Sequence, residues 1–409
     1  MTPPGADTIL LRHSELGTKS APVQARMETT LATNVERMLR RRGVTGTVRR
    51  ERGRIFIDDA EDNLDEALAV ATDTFGVLSA SSVTTVQATE DAIVDALVRT
   101  AEQHYAGGSF AVHARRAGAP DAHPFTSKGL EIRGGSAIWE AVEDSFEPSV
   151  DLDNPDMPIF VECRDRYAYV FLGREEGPGG FPLGTQGRTV PLVSGGIDSP
   201  VAAWEMMRRG CEIVPVYFDF EEYGGADHVA RAVQSVRTLC TYVPDGEITM
   251  YRVPFGDKAA NLVETVAETR MLSLRRVMFA VADAIADQVD AHSLVTGESI
   301  GQKSSQTGWN LTVSDHAIDR PVHRPLLNLD KQAIIRAARE LGTYSTATIP
   351  AGCNRVAPSY PETHATVEQV IEAEPPDLMD AVPELANRAE ELTISAETEA
   401  QRLVHAPNE

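Results

Sequence analysis

The stretch PLVSGGIDSPVAAW, residues 191–204, constrains the fold of this chain more than any other. An apolar, strand-like run ends at two adjacent glycines, and a helix-like run begins at once behind a serine and a proline. Adjacent glycines let a backbone approach a phosphate closely, and the unpaired N–H groups of a helix start attract anions. Ser199 reads as the N-cap and Pro200 as the first helical residue. The segment therefore predicts a phosphate site at Ser194, Gly195, Gly196, Asp198 and Ser199. The bland alternative, a plain glycine turn, suits a bare SGG but not the whole SGGIDSP string. The GxxxxGK loop of kinases and GTPases is absent.

Behind that loop, strand-like and helix-like segments alternate: EIVPVYF, a helix at 227–240, ITMYRVPF, a helix at 258–288, SLVTG and a helix at 330–341. Such alternation predicts a parallel, doubly wound sheet. Ahead of the loop, 9–57 reads as a strand, a helix from Val23 to Arg41 and a strand pair ending in GRIFI. Helices at 64–78 and 90–105, the strand FAVHARR, the helix IWEAVEDSF and the pair PIFVEC and YAYVFLG form a second α/β unit. The glycine- and proline-rich run REEGPGGFPLGTQGR separates both from the rest. The expected division is 1–68, 69–174, a linker at 175–187, the doubly wound domain at 188–375 and an acidic helical tail at 376–409.

A formal charge of −23 ordinarily argues against a nucleic-acid partner. Of the 38 basic residues, however, only Lys19, Lys128, Lys258, Lys303 and Lys331 are lysines, and this acid-rich, arginine-favouring balance is that of salt-adapted proteins. Local charge then matters more than the sum. Arg40, Arg41, Arg42, Arg49, Arg50, Arg52 and Arg54 mark the N-terminal part as the better RNA surface. No apolar run approaches the roughly 18 residues that span a membrane, and the N-terminus lacks a secretory pattern. The expectation is a cytoplasmic protein without a membrane partner.

SGGIDSPVA resembles the PP-loop of ATP pyrophosphatases, which adenylate a substrate oxygen and release pyrophosphate. VTGESIGQKSSQT (295–307) and HRPLLNLDKQAIIRAARELGTY (323–344) resemble segments of the 4-thiouridine synthetases, the ThiI family, and RHSELGTK (12–19) resembles the opening of that family's ferredoxin-like domain. Residues 69–174 occupy the place of its RNA-binding THUMP domain. The resemblance implies an α/β chain: ferredoxin-like and THUMP units, then a doubly wound PP-loop ATP pyrophosphatase domain. It implies ATP and Mg²⁺ as cofactors and tRNA as partner, with uridine 8 adenylated and then thiolated. Leu192 and Val193 would border the nucleotide, Tyr217 and Phe218 flank the adenosine, and Arg275, Gly297 and Gln306 complete the contacts. By pattern alone Tyr217 and Phe218 also suit a core. Asp198 is expected in the chemistry, Arg12, Lys19, Arg115 and Arg116 on RNA, and no residues are assigned as a metal site.

The same resemblance makes Cys353, in the polar loop IPAGCNRVAPSYPET, the persulfide carrier, with Arg355 beside it. Cys163, Cys211 and Cys240 read as packing residues, with Cys240 the candidate for a second thiol. The chain is expected to be the form without a C-terminal rhodanese domain, and the CxxC pair of iron–sulfur relatives is absent. The sulfur donor is then a cysteine desulfurase persulfide or sulfide. A homodimer and a link to thiamine biosynthesis stay open. The rival readings are another PP-loop enzyme, such as a 2-thiolating one, and a non-catalytic RNA-binding protein.

Overall fold

The computed structural model describes residues 1–13, 15–51, 53–117, 123–224, 226–347 and 356–396. The chain divides into two compact units, Met1–Pro182 and Leu183–Glu409. The first unit runs β1 (Thr8–Arg12), α1 (Ala21–Arg42), β2 (Thr47–Glu51), β3 (Arg54–Asp58), α2 (Leu64–Thr72), β4 (Ser79–Gln87), α3 (Glu90–His104), β5 (Ser109–Arg116), α4 (Ser127–Val142), β6 (Ser149–Val150), β7 (Met157–Cys163), β8 (Tyr167–Phe171) and β9 (Glu175–Glu176). Helix α1 buries Met27, Leu31, Val35 and Met38, spaced three or four apart, and stops at Gly43, whose φ of 67° gives a left-handed cap.

These strands form one sheet in the order β2-β3-β1-β4-β8-β7-β5-β6, with β9 on β4. Strand β4 joins the halves, because Ser79–Val83 pairs with β1 and Thr84–Gln87 with β8. What reads as two α/β units in the sequence is thus continuous. The expected boundary at 68 falls inside α2, whose Ala67 and Val70 pack with Ile9 and Ile57. Pleating sends Ile9 and Leu11 into the core under α1 and α2, and Leu10 with Phe56, Tyr169 and Phe171 to the other face.

The second unit runs β10 (Arg188–Val193), α5 (Asp198–Arg208), β11 (Glu212–Ile213), β12 (Val216–Asp219), α6 (Ala226–Cys240), β13 (Glu247–Pro254), α7 (Gly256–Thr265), α8 (Arg270–Gln288), β14 (Ser293–Val295), α9 (Gly308–Asp315), β15 (Val322–His323), α10 (Lys331–Leu341), α11 (Tyr344–Ala347), α12 (Val367–Ala373), α13 (Val382–Asn387) and β16 (Glu390–Ser395). The sheet order is β15-β14-β10-β12-β13-β16, with β11 on β10. All its pairs are parallel except β13 with β16. The chain leaves β10 toward β12 on one side and returns to β14 on the other, so the topological switch point lies at the C-terminal end of β10.

Two expectations are corrected here. The single helix at 258–288 is two, α7 and α8, because Val266 is extended and the Arg270 guanidinium takes the carbonyls of Leu262, Val263 and Val266 that would have continued the helix. The tail after 376 is not simply helical. Leu378, Ala381 and Leu385 belong to the core of the second unit, and β16 covers the outer edge of β13. Among the described residues no helix is long and apolar enough to cross a membrane.

Candidate nucleotide and RNA sites

At the switch point lies a cavity of about 360 Å³. Leu192, Val193, Ser194, Asp198 and Ser199 form one wall, Arg275 and Phe279 of α8 another, and Thr296, Gly297, Glu298, Lys303 and Gln306 the loop after β14. The loop after β10 is closed by its own serines: the Ser194 N–H donates to Ser199 Oγ at 2.9 Å, and the Gly196 N–H donates to Ser194 Oγ at 3.2 Å. Ser199 is therefore not the N-cap. Helix α5 starts at Asp198, two residues ahead of the expected Pro200, behind Ile197, which makes no side-chain cap, so Ser199 sits in the first turn and commits its hydroxyl to the loop. No side chain then caps this helix start, the arrangement that suits an anion.

The glycines act by close approach. A Cβ on Gly297 would lie 2.7 Å from the Asp198 carbonyl carbon and 2.8 Å from Ser199 N, so only glycine lets the loop after β14 touch the first turn of α5. A Cβ on Gly195 would come within 3.2 Å of Arg231 Cβ and 3.3 Å of the His228 carbonyl oxygen.

Charge is placed with similar economy. The Asp198 carboxylate accepts from Lys331 Nζ at 2.7 Å and from Gln302 Nε2 at 3.1 Å. Glu298, only 2% exposed, ties Arg275 to Arg324 and accepts from Thr296 Oγ1 at 2.7 Å. Arg324 also grips Asp315 through Nη1 at 3.0 Å. Burial opposes the charge on Arg324, yet its bonds to Asp315 and Glu298 outweigh burial and hold its pKa above the ordinary value. Arg275 Nε, Gln302 Oε1 and Gln306 Oε1 are buried without a hydrogen-bond partner among the described residues. Buried polar atoms left open at a cavity are where a polar ligand completes the bonding.

Of the nucleotide residues read from the sequence, Leu192, Val193, Ser194, Asp198, Ser199, Arg275, Gly297 and Gln306 line this cavity. Tyr217 and Phe218 do not bring their side chains to it. They are 3% and 2% exposed, and Phe218 packs edge-on to Phe255 at 5.3 Å. Burial holds them inside, and beside Phe279 the aromatics that line the cavity are Phe220 and Tyr223, just past the strand end. Sequence reasoning assigned no role to Glu298, Arg324 or Lys331, although all three lie inside the segments that carried the family resemblance. Cys353 and Arg355 lie outside the described residues. Cys163, Cys211 and Cys240 are buried. Burial pushes the Cys163 thiol up to about 11, and Cys240 Sγ donates to the Ile394 carbonyl of β16 at 3.1 Å.

The first unit carries a different pocket, about 300 Å³, on the sheet face opposite α1 and α2. Arg12, Arg54, Arg115 and Arg174 line it with His113, Phe160, Phe171 and Glu162. The rings stack as a strip, His113 on Phe160 at 5.3 Å and Phe160 on Phe171 at 5.2 Å. Arg12 lies 4.6 Å over Phe171 and Arg174 5.1 Å over Phe160. Burial lowers the Arg12 pKa to about 10, with Arg174, Arg54 and Arg115 acting in the same sense against Glu162. Arg12 Nη2 is buried without a hydrogen-bond partner among the described residues.

Arg12 and Arg115, both expected on RNA, meet in this pocket, where Arg54 of the basic run and Arg174, which the sequence did not single out, join them. Lys19 instead lies 5.1 Å over Phe181, and Arg116 donates to the Phe125 carbonyl. The expected basic cluster at 40–54 is not one open surface. Arg42 pairs with Asp73, Arg49 with Asp58 and Glu51, and Arg54 with Glu162.

Three family descriptions match the chain: the ThiI ferredoxin-like domain at 8–81, the THUMP domain at 87–172 and "Thiamine biosynthesis protein (ThiI)" at 184–376. A probable tRNA sulfurtransferase of Halobacterium salinarum is 51% identical over 93% of this chain and 96% of its own length. One from Methanosarcina acetivorans is 37% identical over 89% and 88%. A crystal structure of a 4-thiouridine synthetase–RNA complex with bound ATP superposes with a TM-score of 0.83 at 28% identity, covering 95% of this chain and 100% of that one.

Proposed function

The chain belongs to the ThiI family, and on that premise we propose that it is an ATP-dependent tRNA sulfurtransferase that converts uridine 8 of tRNA to 4-thiouridine. The observation that carries this reading is the cavity at the switch point. It combines an uncapped helix start, the Asp198–Lys331 pair and the open polar atoms of Arg275 and Gln306.

The triphosphate of ATP takes the Ser194–Ser199 loop, with Lys331 and Lys303 adding positive charge. Phe220 and Tyr223 supply aromatic surface near the adenosine, while the Tyr217 and Phe218 side chains stay buried. Mg²⁺ commonly takes one or two carboxylates together with phosphate oxygens. Asp198 fits that role, and no cluster of three or more acidic or metal-ligating side chains competes with it among the described residues. Bound there, Mg²⁺ would neutralise phosphate charge. Uridine O4 attacks the α-phosphorus and pyrophosphate leaves, which converts O4 into an AMP leaving group.

Sulfur then attacks C4 and expels AMP. From a Cys353 persulfide the first product is a disulfide between C4-bound sulfur and the enzyme, and a second thiol must reduce it to free the thiolated base. Cys240 is ill placed for this, buried with its thiol bonded to β16, so the reductant is a thiol from outside the chain. Sulfide attacks C4 directly and needs no reductant. RNA docking belongs to the first unit, where the pocket of Arg12, Arg115 and Arg174 offers both charge and stacking.

The test compares wild type with Cys353→Ser, giving each either a cysteine desulfurase with a thiol reductant or millimolar sulfide. The variant should lose the desulfurase-dependent yield and keep ATP binding and much of the sulfide-dependent yield. Equal yields with the desulfurase would remove Cys353 from the mechanism, and 2-thiouridine as product would move the chain to the rival PP-loop chemistry.

A further inference from the structure

Trp309 sits on the first turn of α9, three residues beyond Gln306 of the nucleotide cavity. Three residues of chain span at most about 11 Å, so the Trp309 backbone lies within that distance of Gln306 in the cavity wall. It is 57% exposed, although its ring stacks on the His364 imidazole with centroids 3.8 Å apart and planes inclined by 27°. One face of the indole is thus backed and the rest is left to water.

The stack is built on a fixed base. Asn310, fully buried, donates through Nδ2 to the carbonyls of Ser304 at 2.7 Å and Glu362 at 2.9 Å, and its Oδ1 accepts from the Ala365 N–H at 3.1 Å. Thr307 Oγ1 donates to the Thr363 carbonyl at 2.7 Å. The segment holding His364 is therefore tied to the start of α9 on both sides of the imidazole. The same segment begins at Val356 in the cavity wall, three residues after Cys353 in sequence, and carries Tyr360, which is 82% exposed.

We infer that the Trp309–His364 stack is a platform for a nucleobase of the tRNA next to the uridine being activated. This rests on the tRNA thiolation reading and adds a subsite to it. A uridine whose O4 must reach a buried phosphate site leaves its own stack, and its neighbours lose a stacking partner. An exposed indole, backed by a second ring and anchored three residues from the cavity wall, replaces that partner. Stacking also suits this surface electrostatically: Glu362 and Glu268 lie beside the segment and would repel phosphate, whereas a base offers a π-face that every sequence shares. The contact therefore adds no dependence on salt.

Two readouts test it. A Trp139→Phe, Trp204→Phe protein keeps Trp309 as its single indole. Saturating it with unmodified tRNA should quench the fluorescence, and an acceptor-stem minihelix without the uridine 8 region should not. Emission unchanged by bound tRNA, or equal quenching by the minihelix, overturns the platform. In steady-state thiolation, Trp309→Ala should lower kcat/KM for tRNA about tenfold, the size of one base–aromatic stack, with the salt slope of binding and the KM for ATP unchanged. Trp309→Phe should stay within about threefold of wild type. A Trp309→Ala protein with wild-type kcat/KM, an equal loss in both variants or a shifted KM for ATP points to a scaffold or protein-contact residue and contradicts the inference. If wild type forms no thiolated base, the enzymatic reading fails, and the quenching experiment still decides the platform.

Discussion

Two pockets of this molecule, one in each unit, gather arginines and use them in opposite ways. At the cavity of the second unit the guanidiniums meet carboxylates: Arg275 and Arg324 share Glu298, and Arg324 also holds Asp315. In the first unit four arginines crowd a pocket with one carboxylate, Glu162, and their mutual repulsion joins burial in lowering the Arg12 pKa. The paired arrangement fixes direction, because a guanidinium held at one end presents its remaining N–H groups along one line. The crowded arrangement keeps an excess of positive charge, which attracts a polyanion even on a chain with formal charge −23. Under the proposed function, geometry serves the nucleotide and field serves the RNA.

The largest expected effect separates the two regions outright. Asp198→Asn removes the carboxylate that fixes Lys331 and Gln302 at the phosphate loop, and should slow pyrophosphate release about 100-fold or more. Affinity for tRNA should stay within about twofold, as a filter-binding titration would report. Wild-type pyrophosphate release would move the activation site elsewhere.

The reciprocal change is Arg115→Ala with Arg174→Ala. Loss of two phosphate or base contacts should weaken tRNA binding roughly tenfold to a hundredfold and flatten the salt dependence by about two counterions. The KM for ATP should not move. A change in ATP binding with tRNA affinity intact would dissolve the contrast between the pockets.

A smaller effect sharpens it. Arg324 touches Glu298 and Asp315 but does not line the cavity, so it acts on the nucleotide only by orienting Arg275 through Glu298. Arg324→Gln should raise the KM for ATP about tenfold, the low end of the roughly 1.5–3 kcal/mol of one charge-assisted hydrogen bond, with a smaller change in kcat. Equal loss in kcat with an unchanged KM would make Arg324 something other than a positioning residue.

How much of this was legible in the sequence follows the range of the interactions. The phosphate loop is local, a strand, two glycines and a helix start within a dozen residues, and its neighbours in sequence are its neighbours in space. Even there the cap was misplaced, because Ser199 is claimed by Ser194 rather than by the helix. Tyr217 and Phe218 followed from family position, but whether a side chain at a strand end faces the core or the crevice is settled by packing, for Phe218 against Phe255. The arginine pocket of the first unit brings Arg12, Arg54, Arg115 and Arg174 together from four places across one sheet, and no local pattern signals that. The same holds for β16, whose six residues become a strand because β13 offers an open edge. Ion pairs decided the fate of the basic run at 40–54, and pairing across a sheet is invisible to a charge count.

The central claim is that the cavity after β10 couples ATP cleavage to thiolation of tRNA. Its most direct test is mass spectrometry of tRNA nucleosides after reaction with ATP and a sulfur donor, with AMP counted in the same sample. The account requires 4-thiouridine and AMP in equal amounts, both dependent on ATP and both lost in Asp198→Asn. Thiolated uridine formed without ATP, or AMP released with no thiolated base, would contradict it.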